Sequence, residues 1–325
     1  MADARRKEEM DRKRIGTARF SVGSAATLAA TKLFVGVASG SLGVLSSAFD
    51  NLADILMSGV NYLSIRKSME PADSSHPYGH GKMETLGTVF MSVVVALTGI
   101  WIVWEGIRRL RAGIVPRSVD TGLVVMALSV AASWYISERI RKAGEETGSP
   151  ALAADSLHFR TDVWSGGGIL ASLLAYRVTG WRWLDPGSAL IVGGYIITAA
   201  FPILREALDD LMDRSLPHET VEEIRHIIDS HRPLVVDYHK LRTRRSGAEK
   251  HVDFHVVICG QYLLEDAHRL ADHLERELSQ ALGNAHVVTH IDPCEIECPG
   301  KDHCERVLAE IRNLPVPGKD PSPHP

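Results

Sequence analysis

The sequence predicts an α-helical membrane protein with six transmembrane helices, followed by a small cytoplasmic α+β domain. Three observations carry this. Long runs without a charge recur through the first part of the chain; the composition turns charged and histidine-rich after residue 205; and within that second part, stretches of alternating β-branched residues flank amphipathic helical ones. A mean hydropathy of −0.02 averages two unlike halves and hides both.

The uncharged runs cover 33–49, 85–104, 121–137, 163–176 and 186–204, and another at 20–31 is separated from the next only by Lys32. The 85–104 run, TLGTVFMSVVVALTGIWIVW, has the roughly 20 apolar residues that a helix needs to cross hydrocarbon. Six spans follow, at about 15–37, 42–66, 84–108, 118–139, 153–178 and 186–205, preceded by a basic cytoplasmic N-terminus at 1–14. That segment, MADARRKEEMDRKR, is too polar to open a cleaved secretory signal. With an even number of spans both termini share a side. Lys and Arg favour that side: Arg5 to Arg19, Arg66, Lys67, Lys82, Arg139, Arg141 and Lys142 lie there, against Arg108, Arg109, Arg111, Arg117, Arg177 and Arg182 opposite. Positive residues stay inside during insertion, so the expectation is a multi-pass protein of the cell (inner) membrane with both termini cytoplasmic.

Residues 206–312 then form one cytoplasmic domain. A helix is predicted from Pro217 to about Ser230, strands near 234–243 and 251–259, a long helix over 263–282 stopped by Gly283, and a last strand at 285–292. This α-β-β-α-β order suits a three-stranded sheet with helices on one face. The tail 313–325, NLPVPGKDPSPHP, is Pro-rich and expected to be disordered.

The second span contains SAFDNLADILMS, with Asp50 and Asp54 four residues apart. The fifth repeats the spacing as His158 and Asp162 in SLHFRTDVWSGG. Residues four apart share a helical face, so three carboxylates and an imidazole can converge. Each carboxylate at mid-membrane costs roughly 2.5–3.5 kcal/mol on insertion scales. A bound cation offsets that cost, and four O/N ligands suit Zn²⁺, with Fe²⁺, Mn²⁺, Co²⁺ and Cd²⁺ also accommodated. The bland alternative is that these residues are interhelical hydrogen-bonding partners, or that shorter helices let them reach the interface. Two pairs of equal spacing on separate spans favour the metal.

Elsewhere the residues leave alternatives open. Asp73, His76 and His80 crowd the loop PADSSHPYGHGKMETLG, either as a polar turn or as a second cation site. In the cytoplasmic part, His239 is read as preceding the first strand, His255 falls in the second, His268 on the long helix, and His290 with Asp292 at the end of the last strand. Singly such histidines are structural; as a set they suggest metal. Cys259, Cys294, Cys298 and Cys304 all fall in the cytoplasmic part, where thiols stay reduced. PCEIECPGKDHC, which includes His303, is either an additional zinc site or a run of exposed thiols.

Taken together, D-x3-D, H-x3-D, the 71–87 loop, HKLRTRRSG and THIDPC resemble the cation diffusion facilitators, proton-coupled divalent-metal exporters, over residues of about 15 to 295. The resemblance is to bacterial zinc exporters. It implies a homodimer with six membrane helices per subunit and a ferredoxin-like (metallochaperone-like) cytoplasmic domain. Asp50, Asp54, His158 and Asp162 match the family's transport site. Asp73, His76 and His80 match a loop site, and His239, His255, His268, His290 and Asp292 match a cytoplasmic two-metal site at which ions bridge the dimer. Lys82 and Asp213 match a charge interlock between helix pairs. The family pattern ends near Cys294, so the following cysteines depart from it.

The function expected is export of Zn²⁺, or of Fe²⁺, Cd²⁺ or Co²⁺, in exchange for protons, with Zn²⁺ also bound structurally. The partners expected are the lipid bilayer, the second subunit, divalent ions and protons. A membrane-anchored metal sensor without transport is the alternative, supported by the His- and Cys-rich second half; it would not need four ligands inside the bilayer. No P-loop or nucleophile elbow points to an enzyme, and no basic patch interleaved with aromatics points to nucleic acid.

Overall fold

The computed structural model describes residues 2–39, 42–112, 120–179, 181, 183–260 and 262–294, leaving out the side chains of some helical residues, those of 42–50 among them. It divides into two compact units, Met1–Met212 and Asp213–Pro325.

The first unit holds six long helices: α1 (Ala2–Ser39), α2 (Leu42–Ser68), α3 (Lys82–Ala112), α4 (Asp120–Thr147), α5 (Pro150–Thr179) and α6 (Leu184–Leu211). Lys82–Ala112 and Pro186–Leu211 are long and apolar enough to cross a membrane by length and composition. Helices α1, α2 and α5 carry Lys32, Asp54, and His158 with Asp162 along their lengths. Large apolar side chains, among them Phe90, Leu97, Trp101, Trp104, Ile191 and Phe201, face outward. An exposed apolar surface of that extent is stable against lipid and costly against water.

Two helix boundaries extend past the spans drawn from the sequence. The first helix begins at Ala2, so the basic segment that precedes the expected span is itself helical. Its charges sustain the helix through pairs one turn apart, Arg12 to Glu8 at 2.8 Å and Arg14 to Asp11 at 2.9 Å, and bind it to neighbours through Lys13–Glu146 and Arg14–Glu84. The first unit ends after Met212 and not at 205, because α6 continues to Leu211. Residues 295–325, with Cys298, His303, Cys304 and the expected tail, lie outside the described residues.

Apolar clusters knit the helices in two groups. Ala18 and Ala25 of α1 pack with Ile65 of α2, Ile140 of α4 and Leu152 and Phe159 of α5, while Val95 of α3 packs with Leu157 of α5 and Ile196 and Ala200 of α6. Helices α3 and α6 meet at glycines: a Cβ on Gly193 would lie 2.8 Å from the Gly99 carbonyl, so only glycine permits this approach. At one end of the unit the fully buried Glu84 accepts from the Arg14 guanidinium and from Ser149 Oγ, joining α1, α3 and the start of α5.

In the second unit, α7 (His218–Ser230) precedes β1 (Asp237–Ser246), β2 (Glu249–Ile258), α8 (Leu264–Leu282) and β3 (Ala285–Pro293). The sheet is mixed, in the order β1-β2-β3, with β1 antiparallel and β3 parallel to β2. This is the expected α-β-β-α-β arrangement; among the described residues it has three strands, where the full ferredoxin-like β-α-β-β-α-β order has four. Strand β2 alternates: Val252, Phe254, Val256 and Ile258 are buried against Ile224 and Ile228 of α7 and Leu270, Leu274 and Leu278 of α8. The intervening His251, Asp253 and His255 therefore project from the opposite face. Gly283, at φ +83°, ends α8 as expected.

Glu84→Ala should strand the buried Arg14 guanidinium with Asp11 and Ser68 alone. The expected loss is about 3 kcal/mol, the lower end of the range for breaking a buried ion pair. Lys67→Ala, which breaks an exposed pair with Glu70, should cost less than about 1 kcal/mol. Thermal unfolding of the two variants in detergent checks the contrast.

Candidate metal centres

Helices α2 and α5 position the first group. Asp54 Oδ1 lies 3.1 Å from His158 Nε2, with the two side chains 13 and 9 % exposed. Asp162 completes a trio whose donor atoms all lie within 4.8 Å of one another. His158 Nε2 is buried and has no aligned hydrogen bond despite its closeness to the carboxylate. A buried imidazole nitrogen, two carboxylates and short mutual distances are what a divalent cation needs. Asp50 sits one turn before Asp54 on α2, and its side chain lies outside the described residues.

Sequence reasoning missed the residues around this trio. The buried Asn51 donates from Nδ2 to Asp54 Oδ2 at 2.6 Å, and its Oδ1 accepts from Lys32 Nζ of α1 at 2.6 Å. The chain Lys32–Asn51–Asp54 thus orients one carboxylate oxygen and leaves the other toward His158. Asp155, fully buried one turn before His158, is a further carboxylate of α5, faced by Ser21 of α1 and by Ser58 and Asn61 of α2. The one sequence signal was spacing: Asn51 and Asp155 each precede a candidate ligand by three residues, hence share its face.

The loop between α2 and α3 brings Asp73, His76 and His80 together, again with donor atoms within 4.8 Å. Asp73 Oδ1 is committed to the turn itself, accepting from Ser75 N at 2.8 Å, Ser75 Oγ at 2.7 Å and His76 N at 2.6 Å. These bonds, the Ser75 hydroxyl foremost and then the His76 amide, hold the Asp73 carboxyl well below the usual carboxylate range. Oδ2 faces the buried His80, whose Nε2 is 3.5 Å away. The loop is a polar turn whose donors also converge.

On the cytoplasmic sheet, strand register does the assembling. His239 of β1 is directly opposite His255 of β2, and His255 is opposite His290 of β3. Ring centroids are 5.1 and 4.4 Å apart across the row. Asp292 collects all three: Oδ2 is 2.8 Å from His255 Nδ1 and 3.2 Å from His239 Nε2, and Oδ1 is 3.3 Å from His290 Nε2. The His255 hydrogen bond, with the charges of His255, His290 and His239, holds Asp292 below its ordinary value. His268 is not brought to this group within one subunit. It is exposed on α8, with Nε2 3.7 Å from Asp272, and α8 packs on the other face of the sheet.

Lys82 Nζ donates to the Leu211 carbonyl at 3.4 Å, and Asp213 Oδ1 lies 3.7 Å from Arg244. Cys259 is buried at the end of β2, and the Cys294 amide donates to the Ile258 carbonyl at 2.8 Å.

Residues 18–212 match the family model described as the cation efflux transmembrane domain, and 216–294 match the cation efflux protein, cytoplasmic domain. The chain is 31 % identical over 278 residues to an uncharacterized transporter of Synechocystis sp., covering 85 % of this chain and 89 % of that one. It is 32 % identical over 279 residues to the cation-efflux pump FieF of Shewanella oneidensis, covering 86 and 94 %, and 33 % identical over 273 residues to FieF of Citrobacter koseri, covering 84 and 90 %. Both halves of the molecule thus lead to one conclusion: the chain belongs to the cation efflux family, the cation diffusion facilitators, and is a membrane metal-cation transporter and not an enzyme.

Proposed function

We propose that this transporter exports Zn²⁺, or a similar divalent ion such as Fe²⁺, Cd²⁺ or Co²⁺, from the cytoplasm in exchange for protons. It acts as a homodimer in the cell (inner) membrane, each subunit spanning six times with both termini cytoplasmic. One observation carries the reading: Asp54, His158 and Asp162 present converging donor atoms inside a helical unit whose exterior is apolar, with His158 Nε2 buried and lacking an aligned hydrogen bond.

Asp50, Asp54 and Asp162 supply anionic oxygens to the travelling ion, and His158 supplies a nitrogen. Two described carboxylates and a neutral imidazole sum to a charge that a dication cancels. Protons compete for these same atoms, because metal requires ionised carboxylates and neutral imidazole. A proton-rich exterior therefore displaces the ion there, while the cytoplasmic side reloads it. Rocking of helices about the fixed site exposes it to each side in turn. The imidazole nitrogen favours borderline ions over the harder Mn²⁺. Asp73, His76 and His80, and the row His239, His255, His290 and Asp292, are secondary zinc sites in this reading, with His268 contributing to the latter across the dimer.

Flux into proteoliposomes under an imposed pH gradient, with Zn²⁺, Fe²⁺, Cd²⁺ and Mn²⁺ offered in parallel, tests this. Asp54→Ala should abolish flux of every ion while the protein still folds and dimerises; undiminished flux would sink the assignment. Asn51→Ala keeps all four ligands yet frees the Asp54 carboxylate to rotate, so transport affinity should fall by roughly 10–100-fold, the scale seen when a ligand's supporting hydrogen bond is removed. His158→Asp should admit Mn²⁺, and an unchanged ion profile would count against the role given to His158.

A further inference from the structure

The cytoplasmic unit contains a second convergence of donors, on the helix side of its sheet, that no sequence motif marks. His273 and Glu277 are four residues apart on α8 and so share a face, and His231 caps the C-terminus of α7 opposite them. His231 Nε2 is 3.1 Å from Glu277 Oε2, and His273 Nε2 is 3.4 Å from the same oxygen. The two imidazoles meet edge to face with centroids 5.3 Å apart. Their side chains are 11 and 23 % exposed, so one side of the group is shielded and Glu277 keeps the other open to solvent.

In its neutral form His231 offers a lone pair to this group. Its Nδ1 donates to the Ile227 carbonyl at 2.9 Å. A neutral imidazole that donates from Nδ1 carries only a lone pair at Nε2, and that lone pair faces a carboxylate oxygen, itself an acceptor. Such a contact is repulsive until a positive charge sits between the two atoms. Two ligands at 2.0–2.1 Å from a tetrahedral zinc are about 3.3 Å from each other, and the two nitrogen–oxygen separations bracket that value.

We propose that His231, His273 and Glu277 form a separate cation site that takes Zn²⁺ or another borderline divalent ion, with one coordination position left to water. The site is distinct from the imidazole row, which lies on the opposite face of the sheet, and it does not depend on the transport reading. Its ligands come from the residue that caps α7 and from α8, so an ion there pins one helix to the other. Binding to the folded unit alone then stabilises it in proportion to the free metal concentration.

The test is zinc stoichiometry of the full-length protein in detergent, measured by equilibrium dialysis against Zn²⁺ alone, for wild type, His273→Gln and Glu277→Gln. Each variant is expected to lose one zinc per chain, or to bind that equivalent roughly tenfold or more weakly, and to lose part of the zinc-induced rise in melting temperature. Melting without metal identifies any variant that fails to fold, and Glu277→Gln, at the more exposed position, then carries the result. Unchanged stoichiometry and an unchanged zinc-induced shift in a folded variant would overturn the site, with a shared proton as the link between these side chains. A lost equivalent together with absent wild-type flux would refute the transport reading and leave this site standing.

Discussion

A charge taken out of water has to be met by an opposite one nearby, and the first unit is arranged around that requirement. Where the positive partner is a side chain, as with Arg14 and Glu84, the pair is fixed and closes the joint between α1, α3 and the start of α5. Where carboxylates outnumber the imidazole they converge with, as at Asp54, His158 and Asp162, the proposed function assigns the balance to an exchangeable cation. The same electrostatic rule thus yields a structural tie at one place and, in that proposal, a carrier site at another. What separates them is whether the counter-charge is attached to the chain.

Geometry refines this balance. Asn51 accepts from the Lys32 ammonium and donates to Asp54. The amide thus restrains rotation of the Asp54 carboxylate. Packing supports the same end. Glycines at 99 and 193 let α3 and α6 approach closely, and the clusters around Phe159 and Leu157 seat α5, the helix bearing His158 and Asp162, against both groups of neighbours.

Much of this was legible in the sequence, and the remainder was not for identifiable reasons. Uncharged runs located the helices because hydrocarbon admits few charges. They do not show that α1 extends back to Ala2, because Glu8, Asp11, Arg12 and Arg14 form intrahelical pairs that continue a helix in water as well as in lipid. The order of elements in the cytoplasmic unit followed from period-two alternation in β2 and from Gly283. Ligand pairs on one helix were visible because spacing alone places them on one face. Asn51 and Asp155 were visible in the same way and were passed over, while the partnership of His231 with His273 depends on how α7 packs on α8, which spacing does not encode.

The imidazole row has a consequence for biogenesis. His239, His255 and His290 face one another only while three strands hold one register, and a slip of a single residue in β3 would turn His290 and Asp292 toward the helices. β3 is also the last described element of the chain, and it brings both Asp292, which gathers the row, and His290. A ribosome must therefore complete the chain through residue 292 before this group exists at all. The carboxylate that joins the three imidazoles thereby ties the row to a late step, the synthesis and in-register pairing of β3.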